Sequence, residues 1–160
     1  MKRASLTLAS FLLTLFSSSL YAQNEAELSQ TTYNQTLATQ LGADEYGMKS
    51  YVVVLLKTGP TDAEITDETE RAKLFAGHFA NMNRLAEEGK LVLAGPFVDH
   101  DSMRGLLVLN VETTEEAEAL VKTDPTVDAG IFVYEMSKLY SSAALMQVNE
   151  IHEAIQKTAF

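Results

Sequence analysis

In the last two thirds of the chain, short apolar runs alternate with longer amphipathic stretches, and glycine and proline separate them. Residues 51–56 are rich in β-branched side chains and are followed by Gly59-Pro60, a pattern typical of a strand. Two further strands are predicted at residues 91–97 and 104–111, and a fourth strand is predicted to begin at Ile131 to Tyr134. A chain punctuated in this way is limited to a small set of sheet topologies.

A long helix is predicted between the first and second strands. Thr66 is the predicted cap, and acidic residues follow it near the positive end of the helix. One inward-facing stripe, spaced as on a helix, consists of Leu74, His78, Met82 and Leu85. Gly89 is predicted to end this helix.

A second helix is predicted between the third and fourth strands. Thr113 and Glu116 form a capping box ahead of residues 116–121, and Asp124-Pro125 then starts a short helical turn that Gly130 closes. The order is therefore βαββαβ. It predicts an α+β, ferredoxin-like fold, in which an antiparallel four-stranded sheet carries both helices on one face.

The predicted strands are apolar on both faces. Residues 52–56 and 106–109 are apolar without alternation, although two helices can cover only one side of the sheet. A bare second face would expose more contiguous apolar surface than a soluble monomer usually tolerates. We therefore expect a homodimer that forms through the open sheet face. Residues 141–160 are predicted to form an amphipathic C-terminal helix, which packs on the domain or on its partner.

The N-terminus has the pattern of a secretory signal. Lys2 and Arg3 precede an apolar stretch that is too short to span a bilayer, and Ala22 is the best cleavage residue. Residues 1–22 are therefore predicted to be a signal peptide, and residues 23–47 a polar tether ahead of the domain at residues 48–140. The expected location is secreted or periplasmic. Because the chain has no cysteine, no disulfide stabilises it.

The charge of the chain excludes some partners. Cleavage after Ala22 removes two basic residues and shifts the formal charge from −10 to −12. Such a protein repels phosphate backbones and anionic lipid headgroups, so we expect no nucleic acid partner and no stable membrane insertion after cleavage. No glycine-rich nucleotide motif or phosphate loop occurs, and no cofactor is predicted. Asp99, His100 and Asp101 could suggest a metal site, but hairpin loops commonly collect such residues, so no metal is predicted.

Two segments together carry a resemblance to a known family. Residues 87–97 include Ala94-Gly95-Pro96-Phe97, and Asp124-Pro125 is followed by Ala129-Gly130. In this combination, residues 49–140 resemble the YciI-like, YCII-related family of dimeric α+β barrel proteins. The resemblance implies an active site built on a histidine of the first helix and an aspartate of the Asp-Pro step. Here these residues are His78 and Asp124.

The same residues suit proton transfer on chemical grounds. A neutral imidazole with one nitrogen held by a carboxylate presents its other nitrogen as a base near neutral pH. Arg104 is a candidate to hold an anionic or enolate-like substrate, and Tyr51 and Tyr134 are candidates to line the pocket and donate hydrogen bonds.

Each candidate also has a purely structural explanation. His78 can be a core histidine, and Asp124 before Pro125 has the form of a helix N-cap. Arg104 can pair with Asp101 or Glu135, and tyrosines are common in strands for packing alone. Two functions therefore remain open: a cofactor-free lyase or isomerase acting on a small organic compound, or a non-catalytic dimeric module that binds a ligand or has a structural role. Docking onto a larger envelope complex is a third, weaker hypothesis.

Overall fold

The computed structural model describes residues 32–99 and 102–158. The predicted signal peptide, the first part of the predicted tether, and His100 and Asp101 of the hairpin connection lie outside the described residues. The four strands are β1 (Met48–Thr58), β2 (Leu91–Pro96), β3 (Met103–Leu109) and β4 (Phe132–Ser142). The α-helices are α1 (Gln35–Leu41), α2 (Glu68–Glu87), α3 (Thr114–Val121), α4 (Pro125–Asp128) and α5 (Val148–Ile155), and a 3-10 helix covers Ala143–Gln147.

The strands form one antiparallel sheet in the order β2-β3-β1-β4. The central strand β1 pairs with β4 along its whole length, from Met48 opposite Ser142 to Thr58 opposite Phe132. It pairs with β3 from Val52 opposite Leu109. This is the order of a ferredoxin-like βαββαβ fold, and the predicted α+β class is confirmed.

The main core lies between the sheet and helices α2 and α3. Because side chains alternate along a strand, Val52, Val54 and Leu56 all face the helices, and all three are buried. From the helices, Leu85 of α2 and Val121 of α3 pack into the same cluster. Burial of a side chain of this size stabilises the folded state by about 1.5–3 kcal/mol.

The N-caps of α2 and α3 agree with the sequence predictions only in part. The N-cap of α2 is Asp67, whose carboxylate accepts a hydrogen bond from the Glu70 amide, so the prediction of Thr66 was wrong by one residue. Aspartate at Asp67 adds a negative charge at the positive helix end, which a threonine cap lacks. Thr113 caps α3 as predicted, by accepting from the Glu116 amide.

The opposite face of the sheet is partly covered by the C-terminal segment. A second apolar cluster there contains Tyr51, Val92 and Val108, and Leu145 and Met146 of the 3-10 helix pack against it. The predicted helix over residues 141–160 is thus a 3-10 turn followed by α5. Among the described residues, we find no helix with the length and apolar character needed to cross a membrane.

Candidate active site

His78 and Asp124 come together where α2 passes the start of α4. His78 lies on the inward stripe of α2, and Asp124 is the N-cap of α4, with Pro125 at its first position. His78 is 7% exposed and Asp124 is 4% exposed, so both polar groups are buried. Nδ1 of His78 lies 2.5 Å from Oδ2 of Asp124, a short hydrogen bond between side chains 46 residues apart.

Thr126 occupies the other oxygen of the Asp124 carboxylate. Oδ1 accepts one hydrogen bond from the Thr126 amide at 2.9 Å and a second from the Thr126 hydroxyl at 2.7 Å. Thr126 is fully buried, so its side chain is shielded from solvent. The carboxylate is therefore held on both oxygens, and its plane is fixed relative to the His78 ring.

The neighbours of Asp124 favour its ionised form. Burial raises the pKa of the Asp124 carboxyl, but hydrogen bonds from His78 and Thr126 outweigh this, and the pKa lies below its usual value. Asp124 is thus an anion that can only accept hydrogen bonds. An anionic Oδ2 accepts the hydrogen of Nδ1, so the tautomer of a neutral ring that fits this bond has its lone pair on Nε2.

Three phenylalanine rings surround the imidazole. Their centroids lie 6.3 Å away for Phe75, 5.4 Å for Phe79 and 5.6 Å for Phe132, and each meets the ring edge-on. Phe79 is half exposed, so the apolar wall opens to solvent on that side. Among the described residues Nε2 has no hydrogen-bond partner, and no buried side-chain nitrogen or oxygen lacks one. Nε2 therefore keeps contact with solvent.

A family model for the YCII-related domain matches residues 50–139. The match covers more than half of the 160 residues. The chain belongs to the YCII-related domain family. The predicted resemblance to this family is therefore confirmed.

Two further comparisons complete this result. No match was found among curated proteins. Among solved structures, 5-chloro-2-hydroxyhydroquinone dehydrochlorinase (TftG) from Burkholderia phenoliruptrix AC1100, in complex with 2,5-dihydroxybenzoquinone, is similar with 21% identity and a TM-score of 0.42. The alignment covers 54% of this chain and 90% of that chain. The family assignment rests on the family match alone.

In this YCII-related domain Arg104 pairs with Asp62, a partner that the sequence did not predict. Its Nη1 donates to Oδ2 of Asp62 at 3.1 Å, whereas Glu135 pairs with Lys57 at 2.7 Å. Asp101, the other predicted partner, lies outside the described residues. The guanidinium carbon of Arg104 lies 5.5 Å from the centre of the Phe132 ring. Arg104 and His78 thus contact the same aromatic ring.

The hydroxyl groups of the two tyrosines predicted to line the pocket bond to other residues. Tyr51 is fully buried on the sheet face opposite the helices, where its hydroxyl donates to the Ser142 carbonyl at 3.1 Å. Tyr134 is on the helix side, but its hydroxyl bonds to Glu118 at 3.2 Å. The structure therefore brings His78, Asp124 and Arg104 into one neighbourhood and leaves both tyrosine hydroxyls out of it.

Three polar residues of this neighbourhood were missed by sequence reasoning. Thr126 carried a usable signal, since the residue two positions after an aspartate N-cap commonly donates to it. Asp62 and Arg71 carried none, because they lie in a loop and on the helix flank at positions where charge is ordinary.

Open grooves elsewhere on the surface do not include His78. One, of about 570 Å³, lies beside Phe132 and is lined further by Lys122, Asp128 and Tyr134. Another lies at the far end of the sheet, around Asp44 and Tyr140. In the ranges 32–99 and 102–158, no group of three acidic or histidine side chains is close enough to hold a metal ion.

Proposed function

We propose that this YCII-related protein is an enzyme that transfers a proton on a small organic substrate without a cofactor, as a lyase or an isomerase. His78 is the base, and Asp124 orients its ring. The observation that supports this proposal is the 2.5 Å bond between Nδ1 and Oδ2, with the opposite ring nitrogen in contact with solvent. Solvent access of the second ring nitrogen serves no structural purpose. A base needs that access, and the apolar wall around the ring suits it.

The reaction begins when Nε2 of His78 removes a proton from a carbon next to a carbonyl group. The electron pair of the broken C–H bond moves onto the carbonyl oxygen and gives an enolate. The Asp124 carboxylate stabilises the imidazolium that forms. In an isomerase the proton returns to a different carbon, and in a lyase the enolate expels a leaving group from the neighbouring carbon. A well-placed general base contributes about 10²–10⁴-fold to such a rate.

Proton abstraction is tested without knowledge of the full reaction. A panel of small keto acids and cyclic ketones is incubated with the protein in D₂O, and loss of the C–H signal is followed by proton NMR. We expect catalysed exchange for at least one compound. His78→Gln abolishes it, while His152→Gln, which removes an exposed histidine of α5, leaves it unchanged.

Two results would contradict the assignment of the base. One is exchange at the wild-type rate in His78→Gln. The other is equal loss in His78→Gln and His152→Gln, which would trace the effect to general histidine chemistry or to damage of the protein. Thermal melting of each variant separates loss of activity from loss of fold.

A second candidate function is a non-catalytic module that binds a ligand. The enclosure of the imidazole by Phe75, Phe79 and Phe132 favours it, since this wall also suits an apolar ligand. In that case His78→Gln alters stability and ligand affinity, and no compound of the panel exchanges its protons.

The proposal includes a homodimer that forms through the uncovered part of the sheet. The C-terminal segment covers Tyr51 and Val108, but Leu55, Leu106 and Val133 lie on the same face beyond it. Val133 is 42% exposed, and the other two are half-buried. A second copy, which buries about 800 Å² on each partner, would cover these side chains.

Export belongs to the proposal as well. It is supported by the basic start and apolar centre of residues 1–22, with Ala22 before the expected cut. N-terminal sequencing of the protein recovered from the periplasm or the medium is expected to begin at Gln23. Recovery of an intact Met1 from the cytoplasm would contradict it.

A further inference from the structure

Two arginines and one aspartate form a connected cluster beside the candidate active site. Arg71 of α2 holds Asp62 in two places, since its Nη2 donates to Oδ1 at 2.6 Å and its Nη1 donates to the Asp62 carbonyl at 2.9 Å. Arg104 of β3 then donates from Nη1 to the second oxygen, Oδ2, at 3.1 Å. One carboxylate is therefore shared between two guanidinium groups.

The cluster has a net positive charge in a strongly acidic protein. Two arginines meet one aspartate here, whereas the chain as a whole carries a formal charge of −10. Asp62 remains ionised, because the hydrogen bond from Arg71 holds the pKa of its carboxyl below the usual value despite burial. About a third of each arginine side chain is accessible to solvent. This local excess of positive charge favours an anion from solution.

Arg104 is the arginine with donors to spare. Arg71 uses both terminal nitrogens on Asp62, but within the described part of the chain Nε and Nη2 of Arg104 have no acceptor. A guanidinium with a free edge can pair with both oxygens of a carboxylate, or with an enolate oxygen.

The ring of Phe132 contacts both Arg104 and His78. The Arg104 guanidinium carbon lies 5.5 Å from the Phe132 centroid, and the His78 centroid lies 5.6 Å from the same point. The sum of these two distances is an upper limit for the separation of the guanidinium carbon and the imidazole centroid. A six-membered ring with a carboxylate is shorter than this limit, but contacts of about 3 Å at each end would let such a molecule bridge the two groups.

We propose that Arg104, positioned by the Arg71–Asp62 pair, binds the carboxylate or enolate group of a small planar anion whose opposite end reaches His78. This inference rests on the proposed function for the role of His78 and adds the substrate class. Arg71 and Asp62 are positioning residues, since Arg71 holds Asp62 and Asp62 in turn holds one terminal nitrogen of Arg104. Neutral compounds of the same shape lack the charge that Arg104 recognises.

Binding is tested separately from turnover with benzoate as the probe and benzamide as its neutral equivalent. Each is titrated into the purified protein, and affinity is measured by NMR chemical-shift changes. We expect benzoate to bind at least about tenfold more tightly than benzamide. Arg104→Gln is expected to lose this difference. Arg104→Lys keeps the charge but loses the paired N–H donors of the guanidinium, and it is expected to retain part of the difference in affinity.

Two controls separate this site from general charge and from catalysis. Lys57→Gln also removes one cation from a carboxylate pair, but on the opposite face of the sheet, and is expected to bind benzoate like the wild type. His78→Gln removes the proposed base but leaves Arg104 intact, so it is expected to keep the preference for benzoate over benzamide. If His78→Gln keeps both binding and proton exchange, the proposed function fails while the anion site stands.

Several results would overturn the anion site. These are no binding of benzoate, equal affinity for benzoate and benzamide, and unchanged benzoate affinity in Arg104→Gln. Equal weakening by Arg104→Gln and Lys57→Gln would likewise assign the effect to overall charge.

Discussion

The ring of Pro125 occupies the space beside Gly77 that a side chain would need. A β-carbon built on Gly77 would lie 2.8 Å from Cγ of Pro125, closer than carbon atoms normally approach. These two residues immediately adjoin His78 and Asp124 in the sequence. The absence of a side chain at position 77 therefore lets α4 approach α2 closely enough for the 2.5 Å bond of the candidate site.

Gly77→Ala is expected to push α4 away from α2 and to lengthen the bond between His78 and Asp124. Alanine favours the helix by about 1 kcal/mol, but overpacking against Pro125 costs about 1–3 kcal/mol, so we expect a net loss of stability. Urea unfolding measures this loss, and the imidazole nitrogen shifts of His78 report the weaker hydrogen bond.

The matched control is Gly95→Ala in β2, where nothing lies within 4 Å of an added β-carbon. This variant is expected to unfold close to the wild-type midpoint and to leave the His78 signals unchanged. If both alanine variants behave alike, the contact with Pro125 does not position the site.

Asp124→Asn is expected to move the hydrogen of the His78 ring from Nδ1 to Nε2. The fixed amide of Thr126 needs an acceptor, so the asparagine oxygen remains on that side and its NH₂ group faces His78. Nδ1 must then accept, and Nε2 can no longer act as a base.

Nitrogen NMR of the His78 ring measures this exchange of tautomers, and we also expect a loss of stability of about 1–3 kcal/mol. Asp128→Asn, an exposed position one turn later, is the control. Retention of the Nδ1–H form in Asp124→Asn would refute the argument.

Thr126→Val is expected to raise the pKa of the Asp124 carboxyl. The substitution keeps the shape of the buried side chain but removes the hydroxyl that donates to Oδ1 at 2.7 Å, so the ionised form loses a hydrogen bond. Thr126→Ser keeps the hydroxyl and is expected to titrate like the wild type. Carbon NMR titration of the Asp124 carboxyl distinguishes the two, and an equal pKa in both variants would contradict the assigned role of the hydroxyl.

Asp62 is expected to make a pH-dependent contribution to stability. The hydrogen bond from Arg71 and the charge of Arg104 lower the pKa of Asp62 in the folded protein. Its contribution is therefore complete above the pKa of the unfolded chain and is lost as the pH falls through the lower folded value. Because both arginines are partly exposed, we expect about 1 kcal/mol.

The measurement for Asp62 is the free energy of unfolding of the wild type and of Asp62→Asn from pH 7 to acid. The difference between them is expected to be constant near neutrality and to shrink below about pH 4. A difference that stays the same throughout this range would mean that the carboxylate pairing contributes nothing.

The pattern of strands and helices was sufficient to predict the fold, but it only partly predicted the site. His78 falls on the inward stripe of α2, and Asp124 has the form of an N-cap, so each residue was locally recognisable. Their meeting depends on how α4 docks on α2, which no local pattern encodes. The family resemblance supplied that pairing.

The alternation of side chains along β1 already carried information about Tyr51. Val52, Val54 and Leu56 face the helices, so Tyr51 must face away from His78, and its aromatic character alone was misleading. Asp62 is a different case. It lies in a loop whose path depends on the close approach of Gly59 to Gly130, since a β-carbon added to Gly59 would lie 2.1 Å from the Gly130 carbonyl oxygen. This contact is long-range and has no local signature.

The proposed dimer leads to a prediction on the uncovered part of the sheet. Leu106 lies on the face opposite the helices and pairs with Leu55 of β1. Leu106→Glu would place a charge within the proposed interface, where its desolvation opposes association. We expect the wild type to sediment as a dimer at micromolar concentration and Leu106→Glu to sediment as a monomer.

The control for the dimer is Val98→Glu, which adds the same charge at an exposed loop position, and it is expected to remain dimeric. Circular dichroism must show native-like spectra for both variants, so that the change in mass is not due to unfolding. A wild-type protein that sediments as a monomer would contradict the dimer. It would also mean that the covering of this sheet face by the C-terminal 3-10 helix and α5 is enough to keep the protein soluble, with Leu55 and Leu106 tolerated at the surface.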